Sequence, residues 1–313
     1  MGDSKKAFVK NFLEYLHSHA IGNDGVFANY FYLNEIAPHL KINAVLGVSS
    51  DGVGSKLNRY VEHGNLYSAA FDLIAMGDDL SCEYINPLVF SNYLGLNNPI
   101  ICHARQMGAG LGDALKEDFI FNGGGETAFL PDQLKENCLD WVGFVVGIEN
   151  DIERHKSYIE RRDSLENGLL IYGIPDESLG SNGFTLIKEL PLRDEFIWPS
   201  RIYTPKILLA RDYSNFFAHI TGGGYRNIGR VLPSCLDAVV ELNEIPDIFK
   251  YIQDSCGFSD KVMFENYHMG FRLVLGTENP DDIKRIFPDA CLIGELTDGA
   301  GRVSVNDFVL DPY

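Results

Sequence analysis

The chain has 313 residues, 45% of them hydrophobic and 12% aromatic, and a formal net charge of −18 at pH 7 with histidine neutral. Such a composition supplies a sizeable core and excludes disordered and collagen-like classes. So negative a field repels nucleic-acid phosphates and anionic membranes, so neither is an expected partner, and a phosphorylated ligand must be held by local donors or by a metal.

Six cysteines (Cys82, Cys102, Cys138, Cys235, Cys256 and Cys291) show no C-x-x-C pair and no neighbouring His at metal-ligand spacing. They read as buried thiols in a reducing compartment. The amino terminus leads into an amphipathic stretch rather than an apolar leader, and no run of about 18 apolar residues occurs. Lys6 stands where a myristoylation signal carries Ser or Thr. A cytoplasmic protein is the expectation. At roughly 150 residues per domain, two units are expected, residues 1–150 and 151–313.

In chain order, Phe8, Phe12, Leu13 and Leu16 have helical spacing over residues 8–17. Residues 44–50 read as a strand running into a glycine loop, 66–82 as one helix, 119–121 as β-like residues ending at three glycines, and 141–148 as a further strand. The polar, charged segment 149–167 is the expected crossing between the units. Beyond it come a strand at 169–174, a Gly/Ser loop, and helices at 184–190 and 205–210. A second triple glycine follows His219 and Ile220, and strands are expected at 263–275 and 290–296.

Chemistry is expected where carboxylates and glycines follow strands. Ser50-Asp51-Gly52-Val53-Gly54-Ser55-Lys56 has glycines that let a ligand approach the backbone, a Lys that can meet a phosphate and a carboxylate that can hold Mg²⁺. An ordinary turn with a capping Asp is the other reading. Asp72 and Asp79 are seven residues apart, so one helix would set them about two turns apart on a common face, with Asp78 about 100° round from Asp79. Carboxylates sharing a face repel unless a cation joins them, and Mg²⁺ is the natural candidate; a solvated acidic face is the alternative. In Asn122-Gly123-Gly124-Gly125-Glu126-Thr127, Glu126 is a candidate for the same metal, Thr127 a cap, and the glycines a bed for a nucleotide, against a flexible hairpin.

In the second half, Gly180-Ser181-Asn182-Gly183 and His219-Ile220-Thr221-Gly222-Gly223-Gly224 set small residues and free backbone N–H groups at expected helix starts. That is a setting for an anion or simply for an N-cap. His219 beside such a loop is either a structural histidine or a catalyst. No G-x-S-x-G, H-E-x-x-H or Cys/His nucleophile pattern occurs, so covalent catalysis has no support.

The order of these segments carries more than any one of them. Asp51-Gly-Val-Gly-Ser-Lys56, Phe71-Asp-Leu-Ile-Ala-Met76, Asp78-Asp-Leu80 with Asn86-Pro-Leu88, Gly124-Gly-Glu-Thr-Ala128, Ser181-Asn-Gly183, Pro199-Ser-Arg-Ile-Tyr203, His219-Ile-Thr-Gly-Gly-Gly224 with Arg230-Val-Leu-Pro233, and Met263 through Gly270 together resemble the phosphoribosylformylglycinamidine cyclo-ligase (AIR synthetase) family. The resemblance runs from about residue 44 to the end. It implies a two-domain α+β fold, with amino-terminal sheets pairing into a β-barrel across a homodimer and a sandwich-like α/β carboxy-terminal domain. The implied activity is ATP-dependent ring closure in purine synthesis. ATP phosphorylates the formyl amide oxygen of formylglycinamidine ribonucleotide, and a nitrogen then attacks that carbon and expels phosphate, giving aminoimidazole ribonucleotide. Phosphoryl transfer of this kind needs positioning and cations rather than a protein nucleophile.

Carried onto this sequence, the resemblance makes Asp51, Asp72, Asp79 and Glu126 a Mg²⁺ cage and Lys56 a phosphate contact. Lys56, Asp79 and His219 are then the catalytic candidates, and Asp51, Gly52, Val53, Gly54, Gly124, Gly125 and Thr127 contacts for ATP. Ser181, Asn182, Gly183, Thr221, Gly222, Gly223 and Gly224 become cradles for the substrate. Departures are specific: Gly180 stands where the family has His, Ser55 where it has Thr, and residues 21–27 are a shortened version of its glycine-rich ATP segment. Two further readings follow from them, a catalytically silent nucleotide-binding relative and another ATP-dependent synthetase or kinase of the wider superfamily. A selenophosphate synthetase would need a reactive Cys in its amino-terminal loop, and here none precedes Cys82.

Overall fold

The computed structural model describes residues 29–37, 39 and 41–311. The helix expected at 8–17 and the glycine segment at 21–27 lie outside the described residues. Two sheets carry an α+β fold. The first has strand order β1-β2-β5-β3-β4, formed by β1 (Asn29–Tyr32), β2 (Val45–Gly52), β3 (Asn86–Leu96), β4 (Phe121–Phe129) and β5 (Leu139–Glu149). All its pairings are antiparallel except β3 with β4, which a helical crossover makes parallel. Along β5, Trp141 and Val145 are buried while Phe144 and Val146 are exposed, so the period of two sends apolar side chains to both faces. One face packs on helices; the other has no cover among the described residues.

The second sheet has order β12-β11-β8-β10-β6-β9-β7, from β6 (Leu170–Pro175), β7 (Phe216–His219), β8 (Leu236–Val240), β9 (Phe271–Thr277), β10 (Cys291–Asp298), β11 (Val303–Val305) and β12 (Phe308–Val309). Every residue of β9 is buried, because helices cover both faces there. Besides the single turn Leu33–Ile36, the helices in chain order are α1 (Lys56–His63), α2 (Leu66–Ile74), α3 (Gly77–Cys82), α4 (Ile101–Glu117), α5 (Ile152–Asp163), α6 (Thr204–Ala210), α7 (Asp247–Cys256), α8 (Asp260–Asn266) and α9 (Pro280–Ile286). Helices α2 and α4 cover the first sheet, whereas α7 and α8 share the main core of the second. A third core joins the halves: Cys82 and Tyr84 pack with Tyr158, Tyr203 and Phe217, and the rings of Tyr84 and Tyr158 stack at 4.9 Å.

Several expectations need correction. Residues 66–82 are not one helix but α2 and α3, broken at Ala75 and Met76. Gly77 lies where a Cβ would come within 2.7 Å of Asp118 Oδ2, and the turn there carries Asp78 inward to the Tyr203 and Thr204 N–H groups. Residues 184–190 form successive turns rather than a helix. The turns close through i→i+3 bonds, Leu186 N–H to the Gly183 carbonyl and Leu190 N–H to the Ile187 carbonyl, and Arg59 Nη2 donates to the carbonyls of Ile187, Lys188 and Leu190. The stretch 263–275 divides: α8 holds residues up to Asn266, capped by the Ser259 hydroxyl, and the strand starts at Phe271. The glycines at 123–125 lie within edge strand β4 and not in a loop, because a Cβ on Gly125 would meet the Asn92 carbonyl at 2.5 Å. The crossing segment 149–167 contains α5, capped by Asp151 accepting from the Arg154 N–H. Of the six thiols, all free, Cys82 is buried while Cys102, Cys235 and Cys291 are exposed.

Candidate functional site

A cavity of about 860 Å³ opens between the carboxy-terminal end of β2 and the loops of the second sheet. The first half contributes residues 51–55, Asp72 and Asp79 among others; the second contributes residues 181–183, His219, Thr221, Gly222 and Arg272. Asp51 and Gly52 are the last residues of β2, still paired with Gly143 and Val142 of β5, and the turn that follows takes Gly54 to a left-handed φ of 64°. Strand β7 delivers His219 at its last residue. The volume suits a nucleotide-sized ligand.

Asp51 is reached by water in the cleft yet surrounded by protein, and this enclosure, with the Asp79 carboxylate, pushes its carboxyl above the ordinary range; a 2.7 Å bond from the Gly52 N–H and the charges of His219 and Arg272 oppose the shift. Asp51 therefore caps no helix. Asp79 Oδ1 bonds His219 Nδ1 at 2.8 Å, which fixes the ring and leaves Nε2 without a partner, 4.0 Å from Asp78 Oδ2. Asp78 is buried, which raises its pKa, and its Oδ1 accepts from the Tyr203 and Thr204 N–H groups and the Thr204 hydroxyl. Below it, burial holds Asp118 well above the carboxylate range, and neither of its oxygens is hydrogen-bonded.

Asp72 does not serve as a metal ligand in this arrangement. Its Oδ1 accepts from the Ser200 N–H (2.7 Å) and hydroxyl (2.5 Å), and its Oδ2 from Tyr60 (2.6 Å) and Lys56 Nζ (2.8 Å). Four donors occupy the roughly four lone-pair sites of a carboxylate. Lys56 is corrected with it. Its ammonium is fully buried between Asp72 and the Trp198 carbonyl (2.7 Å), and burial lowers its pKa against the pull of Asp72. The pair is a strut beneath the cavity rather than a phosphate contact and a metal ligand.

Gly124, Gly125, Glu126 and Thr127 are exposed on β4 and do not line this cavity; Thr127 borders a smaller apolar cleft beside Leu94 and Phe129. Gly223 and Gly224 also lie off its lining, and a Cβ on Gly224 would strike the Phe264 carbonyl at 2.1 Å, so that glycine is set by packing against α8. Since residues 184–190 are not helical, the 180–183 loop opens no helix, and Gly224–Arg230 is a 3-10 turn. Among the described residues no group of three or more His, Cys, Asp or Glu side chains is arranged to hold a metal. The four-carboxylate cage thus reduces within the chain to Asp51 and Asp79. Two carboxylates still fit Mg²⁺, which commonly takes one or two together with phosphate oxygens and water.

Arg272 and Ser200 escaped the sequence reading as site residues, and Asp78 entered it only as a neighbour of Asp79. Arg272 left a signal, a lone cation in the apolar run Phe271-Arg272-Leu273-Val274-Leu275.

Residues 166–306 match the family model described as AIR synthase related protein, C-terminal domain. A phosphoribosylformylglycinamidine cyclo-ligase from Clostridium kluyveri is 31% identical over 302 residues, covering 89% of this chain and 88% of that protein. Among solved structures, thiamine monophosphate kinase from Aquifex aeolicus superposes with a TM-score of 0.65 at 14% identity, covering 98% of both chains. The hydrogenase maturation protein HypE in complex with ATP gives 0.61 at 14% identity, covering 86% of this chain and 85% of that one. At such identities the structural likeness carries the fold alone.

Proposed function

The chain belongs to the phosphoribosylformylglycinamidine cyclo-ligase family, and from that premise we propose that it closes the imidazole ring of aminoimidazole ribonucleotide at the expense of ATP. The observation that carries this reading is the meeting in one cavity of Asp51, Asp79 and His219 with the 181–183 loop, Gly222 and Arg272. It is a site for two phosphorylated ligands with no protein nucleophile, as phosphoryl activation of an amide oxygen requires. A structural neighbour crystallised with ATP supports the nucleotide assignment.

In this account Asp51 and Asp79 would hold Mg²⁺, which when bound neutralises charge on the transferring phosphoryl group. The formyl amide oxygen takes the γ-phosphoryl group and ADP leaves. The amidine-side nitrogen then forms its bond to the formyl carbon, the carbon–oxygen bond breaks, and phosphate departs with the former amide oxygen. Asp79 fixes the His219 ring through Nδ1, and this imidazole is the group offered to the proton of the attacking nitrogen. The loop 51–55 positions ATP from the first half, and residues 181–183, Thr221 and Gly222 hold the ribonucleotide from the second. Two units at 1–150 and 151–313, a homodimer and a cytoplasmic location belong to the same reading.

The test is incubation with ATP, Mg²⁺ and formylglycinamidine ribonucleotide, measuring phosphate and the imidazole product. Substrate-dependent release of both is expected. ATP binding with neither product would make the chain a silent relative, and phosphate without the imidazole would assign it another substrate.

A further inference from the structure

Arg272 is a buried cation with an unfilled valence. It is 3% exposed, its Nη1 donates to the Arg201 carbonyl at 3.1 Å, and its Nε has no partner. Its charge is felt by Asp51, Asp78 and Asp176, yet among the described residues no carboxylate closes on it as an ion pair. A guanidinium held out of water without a contacting anion is costly, and such sites persist where a ligand supplies the anion.

The backbone delivers this side chain on purpose. Between Ile174↔Leu273 and Pro175↔Phe271 the β6–β9 register slips, so Arg272 is the extra residue of a bulge, a device that re-aims a side chain. It reaches the cavity over Gly180, where a Cβ would sit 3.4 Å from Arg272 Nε, 3.5 Å from its Cδ and 3.9 Å from His268 Cδ2. Gly180 also holds a φ of 60°. The missing side chain at 180 and the arginine at 272 are therefore complementary. The next residue, Ser181, has a buried hydroxyl with no partner. On the far side His268 accepts the Gly270 N–H at Nδ1 (3.2 Å), and burial pushes its pKa down to about 4, so the ring adds polarity without a second charge.

Unfilled donors around one cation call for an oxyanion. Two sources are at hand in the proposed reaction, ATP and the phosphate monoester of the ribonucleotide. The polyphosphate is served by the carboxylate wall, Asp51 and Asp79, through a divalent ion. Arg272 and Ser181 are contributed to the lining by the second half, and a monoester without a metal needs a guanidinium directly. We propose that Arg272, with Ser181, is the subsite that seats the phosphate of a ribose 5-phosphate group. This rests on the reading that the substrate is a ribonucleotide, and it adds the residue that determines that specificity.

Calorimetric binding of ribose 5-phosphate and of a non-hydrolysable Mg·ATP analogue, without turnover, tests it. Arg272→Gln should weaken ribose 5-phosphate by about tenfold or more, Arg272→Lys should recover part of the loss, and Ser181→Ala should cost a few-fold, with the ATP analogue unchanged in all three. Ser181→Ala removes one unpartnered hydroxyl, so it keeps the test open if Arg272→Gln unfolds the strand. Ribose 5-phosphate binding unchanged in both Arg272→Lys and Ser181→Ala, or loss of the ATP analogue alone, would overturn the proposal. If the wild type binds ribose 5-phosphate through Arg272 but yields no imidazole, the subsite stands and the cyclisation falls.

Discussion

At the scale of single residues, the site is organised by which carboxylates are satisfied. Asp72 has four donors, Asp51 accepts from its neighbour's N–H alone, and Asp118 has none. Substituting Asp51→Asn should cut Mg·ATP-dependent turnover about a hundredfold or more. It should leave the melting temperature unchanged or higher, because the amide relieves repulsion from Asp79; full activity in the variant would remove Asp51 from the metal site. Asp118 gives a pH test. Its folded pKa lies well above the unfolded 3.8, so the native state holds the proton longer and stability falls as pH rises from about 4 through the raised value. Asp118→Asn should flatten that fall and raise stability at neutral pH, as read from melting curves across pH. Asp51, Asp79 and His219 were legible as candidates because carboxylates and an imidazole stand beside glycines, and the fold brings the three to one cavity. Which carboxylate of the cavity keeps free lone pairs was not legible, since that depends on donors such as Ser200, 128 residues from Asp72 in sequence.

Elements fail to follow their periodicity where a tertiary contact takes a local hydrogen-bonding group. Helical spacing over residues 66–82 is real, but the break before Gly77 is imposed by Asp118, Tyr203 and Thr204. The same break puts Asp72 and Asp79 on two helices instead of one face, although both still line the cavity. Residues 184–190 have helical composition, and Arg59 draws their carbonyls away. Hydrogen exchange should show protection at 184–190 lost in Arg59→Leu while β9 keeps its own. At the start of α1, Lys56→Met should destabilise by about 3 kcal/mol, since it leaves Asp72 buried without its cation. Once folded it should bind ATP as the wild type does; a selective loss of ATP affinity at unchanged stability would restore Lys56 to the phosphates. Strands β2, β5, β6 and β10 were legible because apolar β-branched runs bounded by turns have one solution. The glycines of β4 were misread as a loop because their cause, the close approach of β3, is invisible in sequence.

On the scale of the molecule, ordered motifs identified the fold although each was weak alone, and the assembly is the part that a single chain leaves open. The outer face of the first sheet exposes Phe144 (45%) and Val146 (39%) on β5, with Phe121 on edge strand β4. An apolar sheet face of this kind marks an interface, and it supports the proposed homodimer. Sedimentation at micromolar concentration should give a dimer for the wild type and a monomer for the double variant Phe144→Asp, Val146→Asp; a monomeric wild type would defeat the assembly. The central claim, that this cavity activates an amide oxygen with ATP and closes a ring, is tested most directly by the fate of that oxygen. Formylglycinamidine ribonucleotide carrying heavy oxygen in the formyl group should deliver the label wholly to inorganic phosphate as aminoimidazole ribonucleotide forms. Label appearing in water, or phosphate released unlabelled, would contradict the account.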